Sequence, residues 1–303
     1  MLFSSTFLFA QENSKPAQKP PKICSLNCAL LKASSNFLFP GVGQFILGNH
    51  RQGATEAGIF SASLLAYSDI SSADDFIEYD DRFDKDKYLV LHNKTTADAD
   101  TMNTIATNTF FYSFYSTYRD AQIGSSATKF NSFKQLAKAP INWNLFSDPY
   151  VWAPLGALMT FSLFAKQPDE DQRIKNKNYR YQLTDNSQAS DYYHNSIIDS
   201  VAIGIGEEVL FRGVINHYAI NKYGYWGGLI GSSLLFGLAH MGDGFQASPL
   251  AASAAGFYFG HMHYKNNYDL QKTVALHTWW DAIVFLKNYS DSKKAQFAIN
   301  IPF

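Results

Sequence analysis

Two stretches of this chain, residues 225–241 and 246–264, contain no Asp, Glu, Lys or Arg. Both are rich in small residues: Gly227, Gly228, Gly231 and Gly237 in the first, Ala251, Ala252, Ala254, Ala255, Gly256 and Gly260 in the second. Small residues let helix backbones approach closely, and in lipid that close packing drives helix association. Such segments constrain the chain to helix-on-helix packing, with a bilayer as the solvent that tolerates their lack of charge. Residues 149–165 add an uncharged run near the minimum spanning length of about 17 residues. Tyr150 and Trp152 flank one end and Lys166 the other, as in an interfacial belt. With further apolar segments near 197–220 and 273–288, the chain reads as all-α, a polytopic transmembrane helical bundle.

Composition first appears to disagree. The 303 residues carry 25 Lys and Arg against 26 Asp and Glu, a net charge of −1. Charged residues are 17%, below the quarter or so usual in soluble domains, and aromatics reach 16%. Yet mean hydropathy is −0.19, a value suited to a soluble protein. The two are reconciled by segregation: the polar stretches 71–100 and 166–196 hold much of the charge. The balance also excludes a disordered chain and argues against a nucleic-acid partner, which would need a basic patch to meet phosphates.

The N-terminal part has its own organisation. Met1 to Ala10 resembles the apolar region of a signal peptide without the basic segment that precedes one. Residues 11–22 are a Pro-rich linker by composition, so 1–22 form a signal-like segment and linker. Residues 23–145 are expected to be a membrane-associated module. Within it, Pro40-Gly41-Val42-Gly43-Gln44 resembles the PGxGQ element of small bacterial two-helix membrane modules, and reads as a packing hairpin. It is not a dinucleotide fingerprint, since neither a strand nor GxGxxG accompanies it. Cys24 and Cys28 read as two buried or interfacial thiols, with a metal or redox role the lesser alternative. Residues 71–100 are expected to be a solvated loop or short helical excursion. Residues 101–118 are uncharged but polar, either a span or an interfacial helix. Arg119, Lys129, Lys134 and Lys138 against Asp120 alone suggest a cytoplasmic side. A core at 146–290 and a tail at 291–303 complete the division.

Ionisable residues inside membrane helices are costly and by default functional. Here they recur in three apolar segments, as Glu207, Glu208 and Arg212, then Phe236 followed by His240, then His277 and Asp281. At about 100° per residue, Glu208 and Arg212 share a face and can pair. Glu207 lies about 100° away without that partner, where burial suits it to act as a general base. Phe236 would pack under the imidazole of His240. Asp281 shares a face with His277 and could fix its tautomer. Such a set can activate water in two ways. Glu207 can take the proton while His240 orients the water and His277 polarises a carbonyl. Alternatively, Glu207, His240 and His277 could hold Zn²⁺, whose bound water is acidic enough to act near neutral pH. Spacing leaves both open, so the cofactor is either none or a divalent metal such as zinc.

The succession EExxxR, FxxxH and HxxxN/D on successive apolar segments resembles the CPBP family, the CAAX prenyl protease type II and bacteriocin-processing intramembrane proteases. The resemblance covers roughly residues 145–290. It implies an intramembrane endopeptidase acting on a peptide or protein substrate, with membrane lipid around it, in a membrane expected to be a bacterial inner membrane. By the same resemblance, Glu207 and His240 activate the water, His277 and Asp281 stabilise the oxyanion, and Arg212 holds Glu208. Asp281 stands where many members have Asn, and an anionic carboxylate is a poorer oxyanion donor. Members are described both as metalloproteases and as metal-independent glutamate proteases.

A non-catalytic membrane scaffold or immunity protein of the same fold is the alternative, and a proton-coupled transporter ranks lower because no internal repeat is evident. His261 and His263 read as interfacial residues at a helix end. His217 and Asp199 are candidates to border the site. No HExxH, GxSxG or P-loop occurs.

Overall fold

The computed structural model describes residues 24–74, 76, 89–122, 130–164, 180–183, 190–240 and 249–291. The signal-like segment and linker at 1–22 lie outside these residues, as does the tail after Asp291. The described chain is helical apart from two four-residue strands.

Helix α1 (Leu26–Ser34) starts on Ser25, whose hydroxyl accepts the Cys28 amide. Cys24 and Cys28 are joined by a disulfide, so they are not the free thiols expected. Spacing i,i+4 across a helix start brings the two Cα atoms to 5.5 Å, within bridging range. The Pro40–Gln44 element then turns sharply. Gly41 has φ 93° and a Cβ there would fall 2.2 Å from the Gly53 carbonyl oxygen, so only glycine fits. Asn36 secures the turn, its side-chain oxygen accepting from the Gly41 and Gly43 amides at 3.0 and 3.1 Å. The short α2 (Val42–Ile46) leads to α3 (His50–Ser71), which packs along α4 (Lys94–Gln122). Between these two helices Glu56 is buried, accepting from the hydroxyls of Ser113 and Ser116 at 2.7 and 2.6 Å.

Strand β1 (Leu89–His92) pairs in parallel with β2 (Arg180–Leu183). Helix therefore begins at residue 94, and the stretch 71–100 is not wholly loop. Likewise β2 and a helix start at Ser190 lie inside the expected loop 166–196. A short α5 (Phe133–Lys138) with a Ser132/Gln135 capping box precedes α6 (Pro149–Phe164). Next comes α7 (Ser190–Glu207), continued without a break by a nine-residue π-helical segment, Glu208–Asn216. Helix α8 (His217–Ala239) is interrupted at Gly224, where φ 79° and ψ 167° reverse the chain. Its second arm folds back until Gly228 meets the Ile220 backbone. Helices α9 (Pro249–Lys265) and α10 (Gln271–Asp291) complete the order.

The parallel strands set a parallel helix pair. Along α4 and α7 the Asn195 side chain bonds Asp98, Asp199 lies beside Thr101, Gly206 meets Asn108 and Gly213 meets Tyr115. Helix α10 packs on another side of α7, with Thr278 against Gly204. Helices on both sides of residue 145 are thus in contact. One core gathers Tyr115, Tyr118, Leu136, Val209, Val214, Leu270 and Val274, and a second joins Val151, Phe259, Met262 and Leu276.

All-α is the right class, but the spanning helices expected from the sequence are not matched. Among the described residues no helix is long and apolar enough to cross a membrane. Helix α6 has 16 residues and α9 has 17. The longer helices dilute their apolar character with polar side chains turned inward, as with Thr101, Asn108, Ser113, Ser116 and Thr117 on α4.

Candidate active site

Glu207 is the last residue of α7 and Glu208 the first of the π segment. A π segment winds more loosely than an α-helix, is rare at this length, and collects at functional sites. Glu208 and Arg212 are 0 and 2% exposed and pair at 3.0 Å, with the guanidinium 4.1 Å from the Phe236 ring centre and 5.0 Å from that of Phe259. A buried cation between two aromatic faces is stabilised by their electron-rich rings.

Glu207 makes neither contact. Its Oε2 faces Nε2 of His240 at 3.7 Å and Nε2 of His277 at 3.9 Å. That oxygen is buried and makes no hydrogen bond. The three side chains come from α7, the end of α8 and α10. The Nδ1 of His240 bonds the Phe236 carbonyl at 2.8 Å, and its ring lies 4.3 Å from the Phe236 ring. A carbonyl only accepts, so Nδ1 carries the proton and Nε2 is the free atom turned to Glu207.

His277 is held differently from the sequence expectation. Its Nδ1–H donates to Glu208 Oε1 at 2.8 Å, so Glu208, not Asp281, sets its orientation. Asp281 Oδ2 instead approaches Nε2 at 3.5 Å, without a hydrogen bond. The reason is the π segment, which brings Glu208 to α10 while it still reaches Arg212. Glu208 therefore ties the ion pair to the histidine. Glu207, Glu208, Arg212, Phe236, His240, His277 and Asp281 all lie in this one cluster. Glu207 and His240 keep 20 and 22% of their side chains accessible, against 8% for His277, so the cluster opens on the Glu207–His240 side.

The other candidates separate. His217 is removed from the cluster: its Nδ1 meets the Tyr118 hydroxyl at 2.9 Å and its ring packs on Tyr268. His263 is buried against the Tyr268 carbonyl, and His261 pairs with Tyr225. Asp199 is two turns along α7 from Glu207. Two residues escaped sequence reading. Phe259 packs 5.4 Å from the His277 ring as well as against Arg212. Asn108 presses on Gly206, where a Cβ would fall 2.0 Å from its side-chain oxygen. Gly206 just before the two glutamates was the available signal, marking a close approach without naming the partner.

Among the described residues no group of three or more His, Cys, Asp or Glu side chains is arranged to hold a metal ion. The set Glu207, His240 and His277 therefore gains no support as a zinc site.

Residues 190–283 match the family described as type II CAAX prenyl endopeptidase Rce1-like, in agreement with the CPBP resemblance of the three motifs. No curated relative and no solved structure matches the chain. The Rce1-like segment takes in α7, the π segment, α8, α9 and most of α10, and so all seven clustered residues. Asn108 lies outside it.

Proposed function

We propose that the chain is an intramembrane endopeptidase whose Glu207 activates water against a peptide bond. The observation that carries this is the unbonded Oε2 of Glu207 facing two imidazole Nε2 atoms, at 3.7 and 3.9 Å, from two other helices. One water oxygen can lie within about 2.8 Å of both Glu207 Oε2 and His240 Nε2 when those atoms are that far apart. Water donates one hydrogen to each, which aims its lone pair outward. Glu207 takes its proton as the oxygen bonds to the carbonyl carbon. His277, with Nδ1–H committed to Glu208, has Nε2 left for the developing oxyanion. It donates there as the imidazolium, whose charge Glu208 and Asp281 offset. Collapse of the tetrahedral species breaks the C–N bond, and Glu207 passes the proton to the leaving amine. The products are a carboxylic acid and an amine, which leave as carboxylate and ammonium once the acid proton has passed to the amine.

A membrane setting fits the distribution of polarity. Rce1-like proteins are integral membrane proteins. Here Asn36, Gln44, Glu56 and Asn108 are buried, while Leu38, Leu65, Trp226, Leu234, Leu238 and Leu250 are more than half exposed. Exposed apolar patches of this kind mark contact with a partner or lipid. Lipid as the surrounding solvent accounts for the inversion. The accessible side of Glu207 and His240 would receive the substrate, for which a peptide with a prenylated CAAX end is the first to try.

The test is cleavage of a peptide panel, prenylated and not, by purified protein in lipid. Glu207→Gln and His240→Ala should fold as the parent does and lose hydrolysis by about 10²-fold or more. Full activity in both variants overturns the assignment. Hydrolysis that survives chelation supports the scheme derived from Glu207, and loss restored by added zinc refutes it.

A further inference from the structure

The mechanism consumes a water, and the face of α7 above Glu207, away from the side on which the cluster opens, carries polar groups that the mechanism does not use. Ser196, Asp199 and Glu207 follow one another at intervals of three and eight residues, which keeps them within one sector of the helix. Thr101 and Asn108 of α4 line one side of that face, at Asp199 and Gly206. Thr278 of α10 lines the other, at Gly204. Ser196 Oγ, Asn108 Oδ1 and Thr278 Oγ1 are each buried without a hydrogen bond, and between them Asp199 and Thr101 face each other. Glu207 Oε2, at the end of the row, is likewise buried without a hydrogen bond.

Buried polar atoms in native proteins are almost always partnered. Leaving this many unserved in one seam would cost free energy comparable to a domain's whole stability. A single orphan can be a local accident, but a file of them is a site. Its atoms are closed off from the surface, so the seam is too narrow for a peptide. Water is small enough, and the atoms offer hydroxyl, carboxylate and amide oxygen partners spaced along about 16 Å of helix from Ser196 to Glu207. Flanking positions Ile197 and Ile198 are exposed, so the polar file and the apolar outer face of the same helix are distinct.

We propose that the seam between α4, α7 and α10 is a water path that supplies Glu207 from the Ser190 end of the bundle. It rests on the reading of Glu207 as the group that activates water. It also gives α4 a role: that helix lies outside the Rce1-like segment, yet contributes Thr101 and Asn108 as one wall.

The two natural cysteines are bonded to each other and the chain has no others, so an introduced cysteine is the one free thiol. Silver ion approaches water in size and reacts with thiols. In full-length protein in lipid nanodiscs, Ser196→Cys and Thr101→Cys are expected to react with silver at least tenfold faster than Val274→Cys, a position buried in the apolar core. Equal rates at the three positions, in variants that melt as the parent does, overturn the path. If Ser196→Cys fails to fold, Thr101→Cys carries the comparison. A second arm uses Asp199→Leu, expected to lower kcat for peptide hydrolysis tenfold or more with KM unchanged. An unchanged kcat counts against the path. Fast silver reaction in a protein that cleaves no peptide would leave the path standing and defeat the protease reading.

Discussion

Replacing Glu208 by Gln isolates the electrostatic part of the site, because the amide oxygen can still accept from His277 Nδ1–H while the charge opposite Arg212 disappears. The structure sets the size of the effect. At 3.0 Å and an effective dielectric near 20, the charges attract by about 5 kcal/mol. Arg212 is 2% exposed and cannot turn to water. Breaking a buried pair by removing one partner typically costs about 3–5 kcal/mol, since the remaining charge is left uncompensated. The rings of Phe236 and Phe259 would recover a little of this through their contact with the guanidinium. For a chain somewhat above 250 residues, roughly 2–3 °C per kcal/mol translates this into a melting temperature lowered by about 6–15 °C. Arg212→Met should cost a similar amount by stranding Glu208. The double variant Glu208→Gln with Arg212→Met removes both charges and should regain most of the loss. The assay is thermal unfolding of purified protein in one detergent, run as a double-mutant cycle. Additive losses, with the double variant as unstable as the sum of the singles, would refute the account of a stranded buried charge.

Gly206→Ala puts a Cβ 2.0 Å from the Asn108 side-chain oxygen, so α4 and α7 must part; stability should fall by about 1–3 kcal/mol or more, and a parent-like melting curve would contradict the close approach. Asn36→Ala leaves the Gly43 amide buried without its acceptor, with an expected loss of about 1–3 kcal/mol, read as a lowered denaturation midpoint. Lys272 holds Asp148 below the usual carboxylate range through their hydrogen bond. The stabilisation is therefore present above the ordinary aspartate value and is lost as pH falls through the depressed one. Lys272→Met should lower stability slightly at pH 6, by less than about 1 kcal/mol for so accessible a pair, and the difference should shrink as the pH is lowered through the depressed aspartate value. A difference that does not change as the pH is lowered argues against the ion pair.

What the sequence determined is the class and the chemistry-bearing residues. Apolar segments rich in glycine and alanine favour close-packed helices, and the seven polar or aromatic residues at helical spacing in three apolar segments were each identifiable by type. The spacing Glu208 to Arg212 carries its own geometry, since four residues bring two side chains together in either helical form. Tertiary structure decided the rest, because each remaining feature depends on groups far apart in the chain. His277 is oriented by Glu208, 69 residues away, although Asp281 sits at local helical spacing. The π segment that makes this possible leaves no mark in a periodicity read at 100° per residue. Asn108 and Thr101 reach the Rce1-like segment because α4 packs alongside α7, in the same parallel sense as the strands Leu89–His92 and Arg180–Leu183 that precede them. The inward turn of polar side chains also explains why the apolar segments did not become helices apolar enough to span among the described residues. Composition sums the two faces of a helix, whereas packing assigns one to the interior and the other to the surroundings.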